Sequence, residues 1–373
     1  MDKPIKVSDV SKFKNETEIF QTVDQYESML GELFLVQNPG MKMRLDAKDE
    51  YGKFRTAHLG GGDISEVGEW FFFPWSKTLV HFLPDALHQE IRTARNKNII
   101  TKEEQEQLYD AIVAIAGLSV GSHGATTIAM MGIAKRIKLA DMDEISASNL
   151  NRLHSDFTKI GRNKAEVTAE FIYQMNPYAS VEVFSEGLSD ENLGEFLGDV
   201  DVIVEEMDGL PMKVKIRKEA KKLGIPVVMA TDNGNSVILD VERFDTDPDY
   251  PLFHGKINFS EDMISANARQ TNPKAWNKIA SEIIGIDIME ERLLTSLPFI
   301  GQTLGGVPQL GAAATISGGL LAICVAKILT GKPLPSGKYD LSTEAVLTPG
   351  YKSKEAIEQR KDTSNQFRKF LDS

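Results

Sequence analysis

The sequence predicts a doubly wound, mostly parallel α/β sheet preceded by a small N-terminal α+β accessory domain. Three observations carry this expectation. From residue 101 to residue 230, strand-like apolar runs alternate with helix-permissive stretches. One run, residues 111–116, is continuously apolar, as a strand covered on both faces must be. A glycine-containing turn follows that run directly. Alternation of this kind implies crossover connections and hence parallel pairing.

The elements follow in order. Residues 22–35 carry apolar side chains at helical spacing, and a polar, glycine-containing stretch runs from 38 to 68. The aromatic cluster Trp70, Phe71, Phe72, Phe73 and Trp75 leads into residues 78–83, which read as one or two short strands. Such a cluster either stacks a ligand or packs a core, and packing is the commoner use. Thr101-Lys102-Glu103-Glu104 is a capping-box signature opening a helix. After the strand at 111–116 come a glycine turn at 117–124 and a helix opening at 125–131. A strand at 136–141 ends in Asp141. Then follow helix 162–175, strand 180–184, helix 189–197, strand 200–205, helix 211–223 and strand 225–230. Residues 293–326 carry no charge, but Gly, Ser, Thr, Gln309 and Pro308 dilute the run, so a helix buried in a sheet-based core is expected rather than a membrane span. The tail from residue 352 is charged, and a peripheral helix is expected there. The expected boundaries are 1–100, 101–335 and 336–373.

Composition narrows the function. The 373 residues include 42 Lys and Arg against 54 Asp and Glu, a formal charge of −12. An acidic chain lacks the positive field that drives general binding to nucleic acid or to a membrane surface. The single cysteine, Cys324, excludes an internal disulfide framework and a four-cysteine zinc site from one chain. No apolar stretch follows the first residues, so no secretory signal is read and a reducing cytoplasm is the expected setting.

The turn Gly117-Leu118-Ser119-Val120-Gly121 sits between a strand and a helix, where small residues and a helix N-terminus suit a phosphate. Asp141 closes the next strand, where an acid can bind a ribose hydroxyl pair. These two features fit NAD and ATP alike. The following stretch, with Asp143, Asn149, Arg152 and then Lys164, and the strand-end acids Asp201, Glu205 and Asp208, favour a triphosphate. Cleaving one calls for cations on the developing charge and a carboxylate for Mg²⁺.

At these residues the sequence resembles the ThiF/MoeB-type adenylating enzymes, which share a Rossmann-like fold with the ubiquitin-activating enzymes. The resemblance runs from about residue 107 to 333. Its strongest piece is D-x-D-x-x-x-x-S-N-L-N-R, matched by Asp141, Asp143 and Ser148 through Arg152, with Lys164 following. Residues 305–331 resemble the family's late Gly-rich turn and buried helix. The resemblance implies ATP- and Mg²⁺-dependent activation of a carboxylate as its acyl-adenylate. The carboxylate belongs to a small molecule, a peptide or a small carrier protein. Gly117, Ser119, Gly121, Asp141, Asp143, Asn149, Arg152 and Lys164 would hold the nucleotide, with Asp141 on the ribose, Asn149 and Arg152 on the phosphates, and Lys164 on the phosphates or the transition state. Asp208 would ligate Mg²⁺, and Arg95 or Arg92 would reach the phosphates from a neighbouring subunit of a homodimer.

The sequence also departs from the pattern. The Gly-rich turn is looser than usual, Glu205 replaces a strand-end Asp, and the CxxC zinc pairs are absent. No cysteine stands where the family's catalytic one does. Cys324 lies in an apolar helix, so no thioester step is expected. The competing readings are an NAD(P)-dependent oxidoreductase and a catalytically silent nucleotide-binding or scaffold member. Plainer roles are open to single residues too: a turn cap for Asp141, ion pairs for Arg152 and Lys164, a helix N-cap for Asp208, solvated charge for Arg92 and Arg95, and packing for His123, His154 and His254. Specificity is expected in the accessory domain and in a crossover loop at about 231–305, which includes Tyr250 to Gly255.

Overall fold

The computed structural model describes residues 2–256 and 273–372, and its contacts divide the chain into two units. The first takes the chain up to Tyr109 with Ala129–Ile133 and Glu170–Ala179. The second takes Asp110–Ile128, Ala134–Ala169 and the chain from Ser180 onward. The part of the expected crossover loop at 257–272 lies outside the described residues.

The first unit contains β1 (Ile5–Val7), α1 (Val10–Glu16), β2 (Gln21–Asp24), α2 (Tyr26–Gln37), α3 (Ala47–Leu59), β3 (Glu69–Phe73), β4 (Thr78–Phe82), α4 (Asp85–Arg92) and α5 (Lys102–Asp110). Its sheet order is β1-β3-β4-β2. The helix expected from residue 22 begins only at Tyr26, because Thr22 and Val23 pair in parallel with Leu79 and Val80. β-branched side chains suit that ladder better than a helix. The aromatic cluster is core. Trp70, Phe71, Phe72 and Phe73 are buried, and His81 is sandwiched between Trp70 at 4.2 Å and Tyr26 at 4.3 Å. The capping box of α5 is formed: Thr101 Oγ1 accepts from the Glu104 N–H, and Glu104 reaches back to the Thr101 N–H.

The second unit is built on seven strands: β5 (Ile112–Ala116), β6 (Arg136–Ala140), β7 (Ser180–Phe184), β8 (Val202–Glu205), β9 (Val227–Asn233), β10 (Ser236–Glu242) and β11 (Gly337–Leu341). Their order is β11-β10-β9-β8-β5-β6-β7. The five from β7 to β9 are parallel, joined by α6 (Gly121–Met130), α7 (Lys164–Met175), α8 (Leu193–Leu197) and α9 (Leu210–Leu223). The strand order reverses at β5, so a crevice opens at the carboxyl ends of β5 and β8, where open α/β sheets bind ligands. β10 and β11 extend the sheet antiparallel. After α10 (Pro273–Ile284) and α11 (Glu291–Ser296) comes α12 (Gly311–Leu329). α12 is long and apolar enough to span a membrane, yet it packs on β8, β9 and β10 and buries Ala313, Leu321, Ala322, Cys324 and Val325. The stretch 336–373 is not peripheral. It supplies β11, the short α13 (Glu344–Leu347) and α14 (Lys354–Asp372), whose Phe367 and Leu371 pack with Ile286, Met289, Leu293 and Leu294.

Under this sheet lies an ionic cluster. Arg217 on α9 is fully buried and pairs with Glu205 on β8 and Glu242 on β10, while Lys213 bridges both Glu205 oxygens at 2.9 Å. Burial pushes the Glu205 carboxyl up, but Lys213 and Arg217 more than reverse this and hold it below its ordinary value. Replacing Arg217 by Met removes one cation and leaves two carboxylates buried without it. The expected loss is about 3–5 kcal/mol, read as a lowered midpoint in urea unfolding with the slope unchanged.

Candidate functional site

The site is assembled where β5, β6, β8 and β9 end. Gly117 leaves β5 with φ +87°, and a Cβ there would stand 2.5 Å from the Glu206 carbonyl carbon and oxygen, so only glycine fits. Gly121 is also tight, with Glu206 3.4 Å from its ideal Cβ. The helix expected from residue 125 starts four residues earlier, at Gly121. A glycine followed by serine and histidine reads as turn, yet here it opens the helix, with Ile115 3.3 Å and Glu206 3.4 Å from its ideal Cβ.

Asp141 closes this turn. Its Oδ2 accepts from the Leu118 N–H at 2.6 Å and its Oδ1 from the Asp143 N–H at 2.8 Å. Burial raises its pKa, against the pull of Lys164 and these two N–H groups. Each oxygen keeps a lone pair for a ribose hydroxyl. Lys164 is buried at the start of α7, and its Nζ lies 2.8 Å from Asp143 Oδ2, so the exposed Asp143 carboxylate fixes the ammonium. Asn149 accepts the Ser146 N–H through its side chain, stiffening the turn Ala147–Asn151 that presents Arg152.

Arg152 is the cation the geometry leaves available. Its Nε donates to Ser119 Oγ at 3.1 Å, and its Nη1 donates to Asn151 Oδ1 at 2.9 Å and the Ser148 carbonyl at 3.4 Å. All three acceptors are neutral, and among the described residues the guanidinium has no carboxylate ion pair. Its carbonyl accepts from His123 Nε2. His123 is a buried packing residue whose pKa is lowered by burial, and its ring lies 4.0 Å from that of His154. α12 closes on this point, because a Cβ on Gly318 would lie 2.5 Å from His123 Cβ and one on Gly311 2.5 Å from the Asn151 carbonyl oxygen.

Asp208 lies in the turn after β8. It is exposed and makes no hydrogen bond or ion pair among the described residues, so its carboxylate is open to a hard cation. It caps no helix: the N-cap of α9 is Gly209. Glu205 is committed to Arg217 and Lys213. Arg92 and Arg95 belong to the first unit. Arg92 donates to Gln89 Oε1 at 3.2 Å and to the Ala129 carbonyl, a structural role, whereas Arg95 is exposed. Burial pushes the Cys324 thiol up to about 11, far from a nucleophilic thiolate at neutral pH. His254 faces Asp240 at 3.0 Å, a buried pair away from the glycine turn in sequence.

Sequence reasoning missed two acids. Glu206 lies under the glycine turn, accepts the Ala230 N–H at 2.6 Å and is raised well above its ordinary pKa by burial. Asp232, at the end of β9, is 8% exposed. Its Oδ1 accepts from Ser317 Oγ at 3.2 Å, and the Gln309 side chain also acts on the carboxylate, while its Oδ2 has no partner within hydrogen-bond distance among the described residues. Burial lifts its pKa to about 6, against the pull of Ser317, Arg152 and Gln309. The available signal was an acid closing a parallel strand, as Asp141 does.

Comparison with known proteins agrees with this architecture. The ThiF family matches residues 93–364, and the chain belongs to that family. It is 35% identical over 286 residues to the Mycobacterium tuberculosis (strain CDC 1551 / Oshkosh) protein MT1398, covering 76% of this chain and 39% of that one. It is 30% identical over 171 residues to the Bacillus subtilis (strain 168) tRNA threonylcarbamoyladenosine dehydratase, covering 43% of this chain and 66% of the relative. Against the Escherichia coli (strain K12) molybdopterin-synthase adenylyltransferase it is 28% identical over 140 residues, 36% of this chain and 55% of the other. The chain thus spans about two fifths of the length of the first relative, and about two thirds and about half of the other two.

The raised pKa of Asp232 makes a stability prediction. Between pH 4 and 6 the folded protein holds a proton that the unfolded chain, at 3.8, has released, so stability falls as pH rises through this window. Asp232→Asn removes that loss. The variant is expected to be more stable than the parent at pH 7 by up to roughly 3 kcal/mol, with the difference vanishing below pH 4. Urea unfolding across pH 3–8 checks it.

Proposed function

We propose that this chain is an ATP-dependent adenylyltransferase that activates a carboxylate as acyl-AMP, with no thioester step. The observation that carries this reading is Arg152. A half-buried guanidinium is held at a glycine turn by neutral hydrogen-bond acceptors and has no ion pair among the described residues, so it is left able to pair with an anion. Splitting a triphosphate calls for a cation on the developing charge and a carboxylate for Mg²⁺, which hydride transfer does not require. Family membership and the adenylyltransferase names among its relatives support the same reading.

The chemistry is positioning and charge placement. The glycine turn and the start of α6 cradle phosphate, Asp141 offers its remaining lone pairs to the ribose, and Arg152 and Lys164 stabilise charge as it develops. A carboxylate oxygen of the substrate attacks the α-phosphorus, forming the acyl–O–P bond. The bond to the bridging oxygen breaks, and pyrophosphate leaves with the electron pair. Asp208 would hold Mg²⁺, a cation usually bound through one or two carboxylates plus phosphates, and the ion would supply positive charge for the departing pyrophosphate. The substrate carboxylate belongs to a small molecule, a peptide or a small carrier protein. A homodimer in which Arg95 reaches the partner's phosphates, and a cytoplasmic setting, belong to the same proposal.

The test is nucleotide binding and pyrophosphate exchange. Mg-ATP is expected to raise the melting temperature and NADH to leave it unchanged; the reverse result overturns the reading. With a supporting carboxylate, Arg152→Ala is expected to slow ATP–pyrophosphate exchange by 10²-fold or more, of the order seen when one preorganised donor is lost. Asp208→Ala is expected to raise the Mg²⁺ concentration needed for half-maximal exchange.

A further inference from the structure

We infer that Asp232 is a specificity-determining residue that reads a nitrogen donor, an amide N–H or an ammonium, carried by the acyl substrate beside its reacting carboxyl group. The inference rests on the adenylation reading above.

Three observations converge on it. Asp232 ends β9, next to β8, at the carboxyl edge that also carries the glycine turn, Asp141 and Asp208. Asp232 is more than nine-tenths buried, and its Oδ1 is satisfied by Ser317; the Gln309 side chain also acts on the carboxylate, yet Oδ2 has no partner within hydrogen-bond distance among the described residues. A buried acceptor without a donor is costly, and it persists where a ligand supplies the donor. Finally, Ser317 is adjacent to Gly318, where α12 packs on His123, and His123 in turn holds the Arg152 carbonyl. Asp232 therefore belongs to the structure that sets Arg152.

Arg152 and Asp232 feel each other's charge, yet they form no ion pair. Each keeps a free valence, one for an anion and one for a donor. In an acyl-adenylate the reacting carbonyl is bonded to the α-phosphate, so substituents on the acyl carbon lie close to whatever holds that phosphate. A nitrogen there meets the free Asp232 oxygen. A plain carboxylic acid would leave that oxygen buried and unsatisfied, and a site built to bond an N–H rejects an analogue lacking it far more strongly than an apolar pocket rejects a missing methylene. A metal is the weaker occupant, since no cluster of three or more ligating side chains occurs among the described residues and the neighbouring charge is a cation.

The experiment uses the full chain. Mg-ATP binding is measured first by calorimetry. ATP–pyrophosphate exchange is then assayed with two matched panels, the N-acetyl and free amino acids and their des-amino carboxylic acids, for the parent, Asp232→Asn and Asp232→Ala. The nitrogen-bearing panel is expected to contain the better substrates by at least 100-fold in kcat/KM. Asp232→Ala is expected to lower their kcat/KM at least tenfold, with Mg-ATP affinity within threefold of the parent, and Asp232→Asn, the isosteric variant, is expected to melt no lower than the parent at pH 7. Equal exchange with the des-amino acids, unchanged kcat/KM in both variants, or no exchange with any nitrogen-bearing acid while Mg-ATP binds would each overturn the inference. So would a tenfold loss of Mn-ATP affinity in both variants, which would make Asp232 a metal ligand. Failure of the parent to bind Mg-ATP strikes the adenylation reading instead.

Discussion

The backbone at Glu206 comes within 2.5 Å of where a Cβ on residue 117 would stand, and the rest of the site depends on that close approach. Strands β5 and β8 can end side by side only because residue 117 has no side chain and accepts a positive φ. Once the chain turns there, the Leu118 N–H faces Asp141, α6 starts at Gly121, and the turn bearing Asp208 lies against the glycine turn. The same device recurs where α12 meets this region. Gly318 lets it lie on His123 and Gly311 lets it lie on Asn151. These contacts surround Arg152, whose carbonyl and guanidinium are both held from the glycine turn and the helix that follows it.

The distribution of charge follows from what packing has already consumed. Glu205 is spent on Arg217 and Lys213, Lys164 is held in place by Asp143, and each Asp141 oxygen accepts one backbone N–H while keeping a lone pair. Arg152, Asp208 and the free oxygen of Asp232 retain capacity. Two of these are ordinary in cost, since Asp208 is exposed and Arg152 has neutral acceptors. Asp232 is not, because its burial favours the protonated form and disfavours the charged one. A buried acid whose isosteric replacement is expected to raise stability is characteristic of positions kept for function.

Much of this was legible in the sequence, and the limits are physical. The alternation of elements was readable because parallel strands buried on both faces make continuous apolar runs. Asp141, Arg152, Lys164 and Asp208 were readable as a spaced set. The helix start at Gly121 was not, because glycine and serine carry turn propensity, and the packing against Ile115 and Glu206 is tertiary. The partners of Glu205 were hidden by distance along the chain: Arg217 lies 12 residues on and Glu242 pairs with that arginine from 25 residues further. Antiparallel β10 and β11 gave no distinct signal, and Asp232, just beyond the expected strand end at residue 230, offered only the weak one of an acid closing a strand. Its unpaired oxygen is a fact of packing, invisible to spacing.

One departure from the family pattern changes meaning in the structure. Ser119 stands where a richer glycine run is usual, which by sequence reads as a loosened turn. Its hydroxyl accepts from Arg152 Nε, and its carbonyl accepts from the Ser122 hydroxyl. A glycine at 119 would give the backbone more freedom but would remove the acceptor that holds the guanidinium over the start of α6. Because an arginine carries several rotatable bonds, and fixing them costs conformational entropy, a hydroxyl that fixes the head group before the phosphate arrives contributes to the preorganisation such a site needs. The turn has traded backbone freedom for a side chain that aims its cation.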